Sequence, residues 1–347
     1  MIPMVRALGS VRLALLGMVL LALGAALSYN NPVSTPVWVL VVPLAFLAVN
    51  LLAAIATNPR INRRAGLLIF HIGLLSIIVL AGVGRLTHLD AQLEITEGGA
   101  FSPQELSEVN KGPFHSGALD KIAFVQGSYT VEYAAGMVRG LTHSQVLVPD
   151  GRGGVVTKVV GDDRPLVLEG YRFYTTFNKG FAPVLTWLPD TAPREAITGT
   201  VHMPSYPLFE YKQDSTWTPP GGKEIKLWLR LKTGLREDAP WVLDGKGASG
   251  VLVVNSGVRR VELQPGETVQ LEGGKLRYER LTSWMGYKVF YDPTLHWLFA
   301  SAMVAIIGLG SHFWGRFGAR LQHTPAPSAG ASLKHVSASE ISGGRGL

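Results

Sequence analysis

The stretch of sequence that decides the fold is Asn62-Arg63-Arg64-Ala65-Gly66-Leu67-Leu68-Ile69-Phe70-His71-Ile72-Gly73-Leu74-Leu75-Ser76-Ile77-Ile78-Val79-Leu80-Ala81-Gly82. From Ala65 to Val83 no residue carries a formal charge, and a helix of this length, rising roughly 1.5 Å per residue, crosses the apolar core of a bilayer. His71 is the one ionisable side chain inside it. Because ionisable groups are costly at membrane depth, His71 is either a neutral imidazole hydrogen-bonded to a neighbouring helix or a ligand.

Apolar residues make up 47% of the 347-residue chain and charged residues only 16%, and the apolar residues are unevenly distributed. This pattern is typical of membrane spans joined to a more polar portion. Four apolar segments have the length of a membrane-spanning helix: 13–29, 37–56, 65–83 and 293–315. The first also resembles a cleaved signal peptide, but the length of its apolar run and the spans that follow favour an uncleaved anchor.

The net charge of +7 is explained in part by arginines at the ends of these segments. The arginines concerned are Arg6, Arg12, Arg60, Arg63, Arg64, Arg316 and Arg320. With four spans, all of them fall on one side of the membrane, and the positive-inside rule makes that side cytoplasmic. Nucleic-acid binding is disfavoured, because these arginines border the spans and form no separate basic face.

Between the third and fourth spans the sequence predicts antiparallel β-structure. Residues 129–133, 226–232 and 275–281 alternate between polar and apolar side chains, and residues 250–254 form a continuous apolar run expected of a strand buried on both faces. A sandwich or a distorted barrel would accommodate such strands. The predicted organisation is an α+β membrane protein: a three-helix segment (1–84), an extracytoplasmic β-rich domain (85–291), a fourth helix (292–316) and a disordered cytoplasmic tail (317–347).

Depth along the helices limits which histidines share a metal. His71 lies roughly 9 Å in from the cytoplasmic end of its span, and His296 lies near the outer end of the last span, so roughly 15–20 Å separate them. Two axial ligands of one haem iron are only about 4 Å apart, so these two histidines do not form one site. His312 is closer to His71 in depth and remains an alternative second ligand, although an interfacial position beside Phe313 and Trp314 is typical of an aromatic belt.

The predicted β-domain offers no catalytic constellation. Four histidines there are interpreted as surface residues: His88, His115, His143 and His202. The acidic pair Asp162-Asp163 is interpreted as a solvated turn. His323 and His335 lie in the tail and are expected to be solvated. Because the chain has no cysteine, a redox role would need a bound cofactor.

Several motifs, in order along most of the chain, resemble the ResB (CcsB) family of System II cytochrome c maturation. They are Ser10-Val11-Arg12-Leu13-Ala14-Leu15-Leu16, Phe70-His71-Ile72-Gly73-Leu74-Leu75, Arg164-Pro165-Leu166 with Gly170-Tyr171-Arg172-Phe173-Tyr174, and Gly286-Tyr287-Lys288-Val289 through Asp292-Pro293. The chain departs from the family pattern in its short first outside loop, in Arg164 where the family has asparagine, and in lacking a family cysteine.

The resemblance implies a multi-pass subunit of the bacterial inner membrane that works with a CcsA/ResC-type membrane protein. Such a pair moves haem outward and attaches it to apocytochrome c, the chain itself being an accessory subunit of the haem lyase complex. The family's transmembrane histidine corresponds to His71, which would be one axial ligand of a transient haem b, with the other ligand supplied by the partner. Membrane lipid is the remaining expected contact.

Two other functions remain open from the sequence. One is a haem b electron-transfer subunit, which would need two histidines per haem on facing helices, and only the His71/His312 pair is available. The other is a structural membrane anchor whose β-domain binds protein partners.

Overall fold

The computed structural model describes residues 2–191, 195–232, 235–257 and 259–322. Within them, four helices are long and apolar enough to cross a membrane, which confirms the predicted spans. The helices are α1 Ile2–Leu8, α2 Val11–Asn30, α3 Trp38–Thr57, α4 Pro59–Asn62, α5 Ala65–Thr87 and α6 Leu295–Gln322. The last helix extends six residues beyond its predicted end at 316, and the rest of the predicted tail, 323–347, lies outside the described residues.

Local signals set the helix ends. The hydroxyl oxygen of Ser10 accepts a hydrogen bond from the Leu13 amide at the start of α2, and Pro59 occupies the first turn of α4 after the capping Asn58. Before α6, Asp292 accepts hydrogen bonds from the amide and the hydroxyl of Thr294. These caps satisfy backbone groups that would otherwise be unpaired at the ends of the helices.

The basic segments gather at one end of the helical bundle, which we call the basic end. A Cβ added to Gly9 would lie 2.7 Å from the Ala54 amide nitrogen, so the start of α2 meets the end of α3. Asn50 of α3 donates hydrogen bonds to the carbonyl oxygens of Leu8 (2.5 Å) and Ser10 (3.1 Å), and therefore ties α1 and α2 to α3. Residues 60–64 follow the end of α3 directly, and a Cβ on Gly66 at the start of α5 would lie 2.7 Å from the His312 backbone nitrogen of α6. The segments around residues 6–12, 60–64 and 316–320 therefore share one end of the bundle.

All described strands lie between α5 and α6, and all pair antiparallel. The first eight are β1 Leu89–Thr96, β2 Ser107–Lys111, β3 Val125–Ala134, β4 Val138–Pro149, β5 Val155–Val160, β6 Leu166–Leu168, β7 Tyr171–Pro189 and β8 Ile197–Thr200. The others are β9 Asp214–Trp217, β10 Ile225–Leu231, β11 Trp241–Asp244, β12 Gly250–Ser256, β13 Arg259–Leu263, β14 Thr268–Leu271 and β15 Gly274–Tyr291. The four strand segments predicted from sequence fall on β3, β10, β12 and β15, the second of them running one residue past the end of β10, and residues 250–254 are buried as expected.

The strands form three sheets within the described residues. The largest has the order β2-β1-β15-β7-β6, with β14 on β15 and β8 on β7; the other two are β13-β12-β10-β9 and β11-β3-β4-β5. One hydrophobic core draws residues from all three. A buried polar triangle joins the largest sheet to the β11-β3-β4-β5 sheet. Tyr287 donates to the side-chain amide oxygen of Gln126 (2.7 Å), Gln126 donates to the Ser144 hydroxyl (2.8 Å), and the Ser144 hydroxyl lies 2.7 Å from that of Tyr287.

Candidate functional site

His71 lies in the half of α5 nearer the basic end and is half-buried in the single chain. Its Nδ1 lies 2.7 Å from the carbonyl oxygen of Leu67, one turn earlier. A carbonyl oxygen only accepts hydrogen bonds, so Nδ1 carries the proton and Nε2 keeps its lone pair. Nε2 has no hydrogen bond to any described residue. This arrangement, with one nitrogen held by a backbone carbonyl and the other free, is the one that metal-ligating histidines use.

The opposite side of α5 is occupied by α6. A Cβ on Gly73 would lie 2.8 Å from that of Ala305, and one on Gly308 would lie 2.5 Å from the Phe70 amide nitrogen. Small residues therefore allow the two helices to approach closely. At 3.6 residues per turn, His71 lies about 140° around the helix from Gly66, which also faces α6. The imidazole therefore lies away from the α5–α6 contact.

His71 shares its face of α5 with Gly82, eleven residues or about three turns further along. A Cβ on Gly82 would lie 4.0 Å from Cβ of Leu44 in α3. The imidazole thus lies on the α3 side of α5, three turns closer to the basic end. Phe70 contacts it edge-on, with ring centroids 5.1 Å apart.

The structure does not bring His312 to the His71 side of α5. A Cβ on Gly66 would lie 2.7 Å from the His312 backbone nitrogen, so His312 lies level with Gly66 and on that side of α5. Gly66 is five residues from His71, or about 7 Å along the helix. The His312 ring contacts Phe313, its neighbour in sequence.

His296 is exposed at the start of α6, the end far from the basic end. Since Gly73 lies level with Ala305, His296 is about eleven residues from the level of His71, or about 16 Å along the bundle. This spacing agrees with the separation that the sequence predicts.

The surface interpretation is wrong for three of the four histidines of the predicted β-domain. His88 is only 4% exposed and packs at the end of α5, where burial and then the nearby Arg85 guanidinium lower its pKa. His115 is half-buried between α5 and β7. His202 is half-buried as well; it stacks on Trp284 and binds Thr96 and Glu94. His143 is exposed as predicted, and His323 and His335 lie outside the described residues.

Asp162 lies in an exposed bend, as predicted, but it also makes contacts that the turn pattern does not indicate. Its carboxylate accepts hydrogen bonds from Arg139 (2.6 Å), from the Thr142 amide and from Thr175. It therefore links β4 to β7, whereas Asp163 is exposed and pairs only with Arg164 at 3.7 Å. These contacts are formed by residues distant in sequence, so the local turn pattern could not indicate them.

Two of the sequence motifs meet in the central strands. In the β7–β15 pair, Phe173 is opposite Val289 and Tyr174 is opposite Lys288. The segment Gly170–Tyr174 therefore pairs with the segment Gly286–Val289, immediately beside the ends of α5 and α6. These motifs join the strand-containing part of the chain, residues 89–291, which we call the β-region, to the apolar helices, and they lie far from His71.

Comparison with known protein families gives one match. Residues 51–212, just under half of the chain, match the model of the ResB-like family. The matched segment includes His71 and the Arg164–Tyr174 motif. It confirms the resemblance that the motifs indicate, and it points to a role in cytochrome c biogenesis. No curated protein matches the sequence significantly.

Proposed function

We propose that this ResB-like chain is a membrane subunit of a System II cytochrome c maturation complex, taking part in haem transfer across the membrane and in haem attachment to apocytochrome c. The observation that carries the proposal is the free Nε2 of His71, held in the ligating tautomer by Leu67 at membrane depth. Burying an imidazole nitrogen that has no hydrogen bond in an apolar phase is unfavourable, and binding of Nε2 to a metal would offset that free energy.

His71 would supply one axial ligand to haem b in transit. The second ligand would come from a CcsA/ResC-type partner, because His296 is too far along the bundle and His312 lies on another side of α5. The electron-transfer alternative needs two facing histidines within one chain, and the His71/His312 geometry does not favour it. Within the described residues no observation favours a purely structural anchor over haem delivery.

The large β-region would lie on the periplasmic side. The shared basic end supports this orientation, because positively charged segments are retained in the cytoplasm. Haem would then enter near the basic end, at the level of His71, and leave towards the β-region, where the partner and the apocytochrome would meet it. In this proposal the chain binds and orients haem and provides no catalytic group of its own.

The test is the absorption spectrum of the chain purified together with its CcsA/ResC-type partner. His71→Gly should remove the haem absorption and cytochrome c maturation, and added imidazole should restore both by replacing the missing ligand. His312→Ala is the matched control, since it removes a second histidine of the helical bundle. Haem and maturation retained in His71→Gly would refute the ligand role, and loss of the haem absorption in His312→Ala as well as in His71→Gly would favour the electron-transfer alternative.

A further inference from the structure

Lys179, in the middle of β7, is a buried cation without an anionic partner. It is 2% exposed, and within the described residues no carboxylate lies within 4 Å of its Nζ. Its contacts are the carbonyl oxygen of Phe177 at 3.4 Å and the ring of Tyr133, whose centroid is 5.8 Å away. Burying an unpaired ammonium group destabilises the fold unless another interaction offsets the loss of its hydration.

The backbone around Lys179 is shaped by a bulge in β7. Lys179 pairs with Met285 and Thr175 pairs with Tyr287, so three residues, 176–178, lie opposite Gly286 alone. A Cβ on Gly286 would lie 2.7 Å from the Asn178 carbonyl oxygen, so only glycine fits there. Bulges of this kind redirect side chains and are common beside functional sites.

Lys179 lines a cavity of about 430 Å³, which we call the Lys179 cavity. Its apolar walls are Tyr133, Phe177, Tyr206, Leu208 and Tyr211. Phe177, Leu208 and Tyr211 are 68%, 67% and 90% exposed, so its mouth has an unusual amount of apolar surface in contact with water. The volume is within the range of pockets that bind small molecules.

Within the described residues, the other charged groups that line the cavity form no ion pair with Lys179. Arg139 lies over the Phe177 ring, 4.3 Å from its centroid, and its guanidinium is paired with Asp162. Glu210 and Glu237 lie at the half-buried to exposed edge, where burial and then mutual repulsion raise the pKa of Glu210. Burial, with repulsion from Arg139, lowers the pKa of Lys179 to about 8, so the ammonium form still predominates at pH 7.

A second cavity adjoins this site on the side of the helices. It has a volume of about 770 Å³ and lies between the ends of α2, α3 and α5 and the β-region. Ser28, Tyr29 and Arg85 line it on the helix side, and Phe177 belongs to both cavities. A molecule dissolved in the outer surface of the membrane would therefore be separated from Lys179 by the Phe177 side chain.

We propose that the Lys179 cavity binds an anionic amphiphile, whose carboxylate or phosphate pairs with the Lys179 ammonium and whose apolar body packs against Phe177, Leu208 and Tyr211. A charge-assisted hydrogen bond would supply the partner that the ammonium lacks, and the apolar rim would be covered. A porphyrin propionate and the acid group of a membrane lipid share this chemistry. The site goes beyond the proposed function and does not depend on His71.

The experiment measures binding of fluorescent probes to the full chain in nanodiscs of zwitterionic lipid. Iron-free protoporphyrin IX is compared with its dimethyl ester, and an anthroyloxy-labelled fatty acid with its methyl ester. Lys179→Met is compared with Lys226→Met, an exposed lysine of β10. We expect the wild type to bind at least one acid about tenfold or more tighter than its ester, Lys179→Met to lose this preference, and Lys226→Met to keep it.

Raising the pH from 7 to 10 should weaken acid binding to the wild type, which tests the charge of Lys179 without a substitution. A preference for the porphyrin acid alone, the fatty acid alone or both would each support the site and identify its source. Equal binding of acid and ester, or equal preference in wild type and Lys179→Met, would overturn it. His71→Ala should leave probe binding unchanged, so failure of the haem-ligand proposal would be recognised separately.

Discussion

The Nδ1 of His115 lies 3.0 Å from the carbonyl oxygen of Thr87, so a side chain of the β-region caps the last turn of α5. Because the carbonyl only accepts, Nδ1 is protonated and Nε2 accepts the hydrogen bond from the Tyr171 hydroxyl at 2.7 Å. The amides of Gly112 and Phe114 donate to the carbonyl oxygens of His88 and Leu86 beside it. One short segment thus satisfies the helix end and connects it to β7.

His115→Ala should loosen this junction. It leaves the fully buried Tyr171 hydroxyl without its acceptor and a helix carbonyl without its donor, at a cost of about 2 kcal/mol or more. Hydrogen exchange should speed up at the amides of Gly112 and Phe114, and the thermal midpoint of the full chain should fall. His143→Ala, which alters an exposed histidine of β4, is the control. Unchanged exchange in His115→Ala would mean that the junction is held by other contacts.

Close contact between α5 and α6 gives a second prediction. Gly308→Ala places a methyl group 2.5 Å from the Phe70 amide nitrogen, so the helices must separate, at a cost of about 1–3 kcal/mol. The matched control is Gly310→Ala, because nothing lies within 4 Å of a Cβ there and alanine favours the helix by up to about 1 kcal/mol. Thermal unfolding in detergent, followed by circular dichroism, should show a lower midpoint for the first variant and an equal or higher one for the second. Equal midpoints would contradict the contact.

The parts of the fold that sequence predicts well are those that depend on local patterns. The four apolar spans follow from hydrophobic length, and β10 and β12 follow from alternation and from a continuous apolar run. In these cases the physical cause lies within a few residues of the signal.

The parts that sequence does not predict depend on contacts between distant residues. His115 reads as a surface histidine because its partners, Thr87 and Tyr171, are 28 and 56 residues away. The only sequence feature of Lys179 is that it directly precedes the apolar run 180–185, and this does not indicate burial. Its buried position depends on the three-residue bulge opposite Gly286. Register and bulges of this kind are set by the whole sheet. His71 stands out in the sequence because membrane depth alone makes an imidazole unusual, and its role as a ligand stays a prediction.

The proposed orientation can be tested because the chain has no cysteine of its own. Arg152→Cys places a thiol in an exposed turn of the β-region, and Asn62→Cys places one in the exposed α4 at the basic end. A membrane-impermeant maleimide should label the first in intact spheroplasts and the second only after the membrane is opened. The cysteine-free parent is the control for background labelling. The reverse pattern would place the β-region in the cytoplasm and remove the basis for its contact with apocytochrome.

Lys179 makes the stability of the free protein depend on pH in a predictable direction. Its pKa is lowered from 10.5 to about 8, so between these values the folded state binds fewer protons than the unfolded state, and stability rises with pH. Below pH 8 the buried ammonium lowers the free energy of unfolding by its full amount, about 3 kcal/mol for this shift in pKa. Lys179→Met should therefore unfold at a higher temperature than the wild type at pH 7, and the difference should shrink by pH 10. Tryptophan fluorescence during heating measures the unfolding midpoints of the variant and the wild type. For the control Lys226→Met, the difference in midpoint from the wild type should be the same at pH 7 and pH 10. If Lys179→Met were less stable than the wild type at pH 7, the ammonium would have to be stabilised by its surroundings, and the cavity would have no need of an anionic ligand.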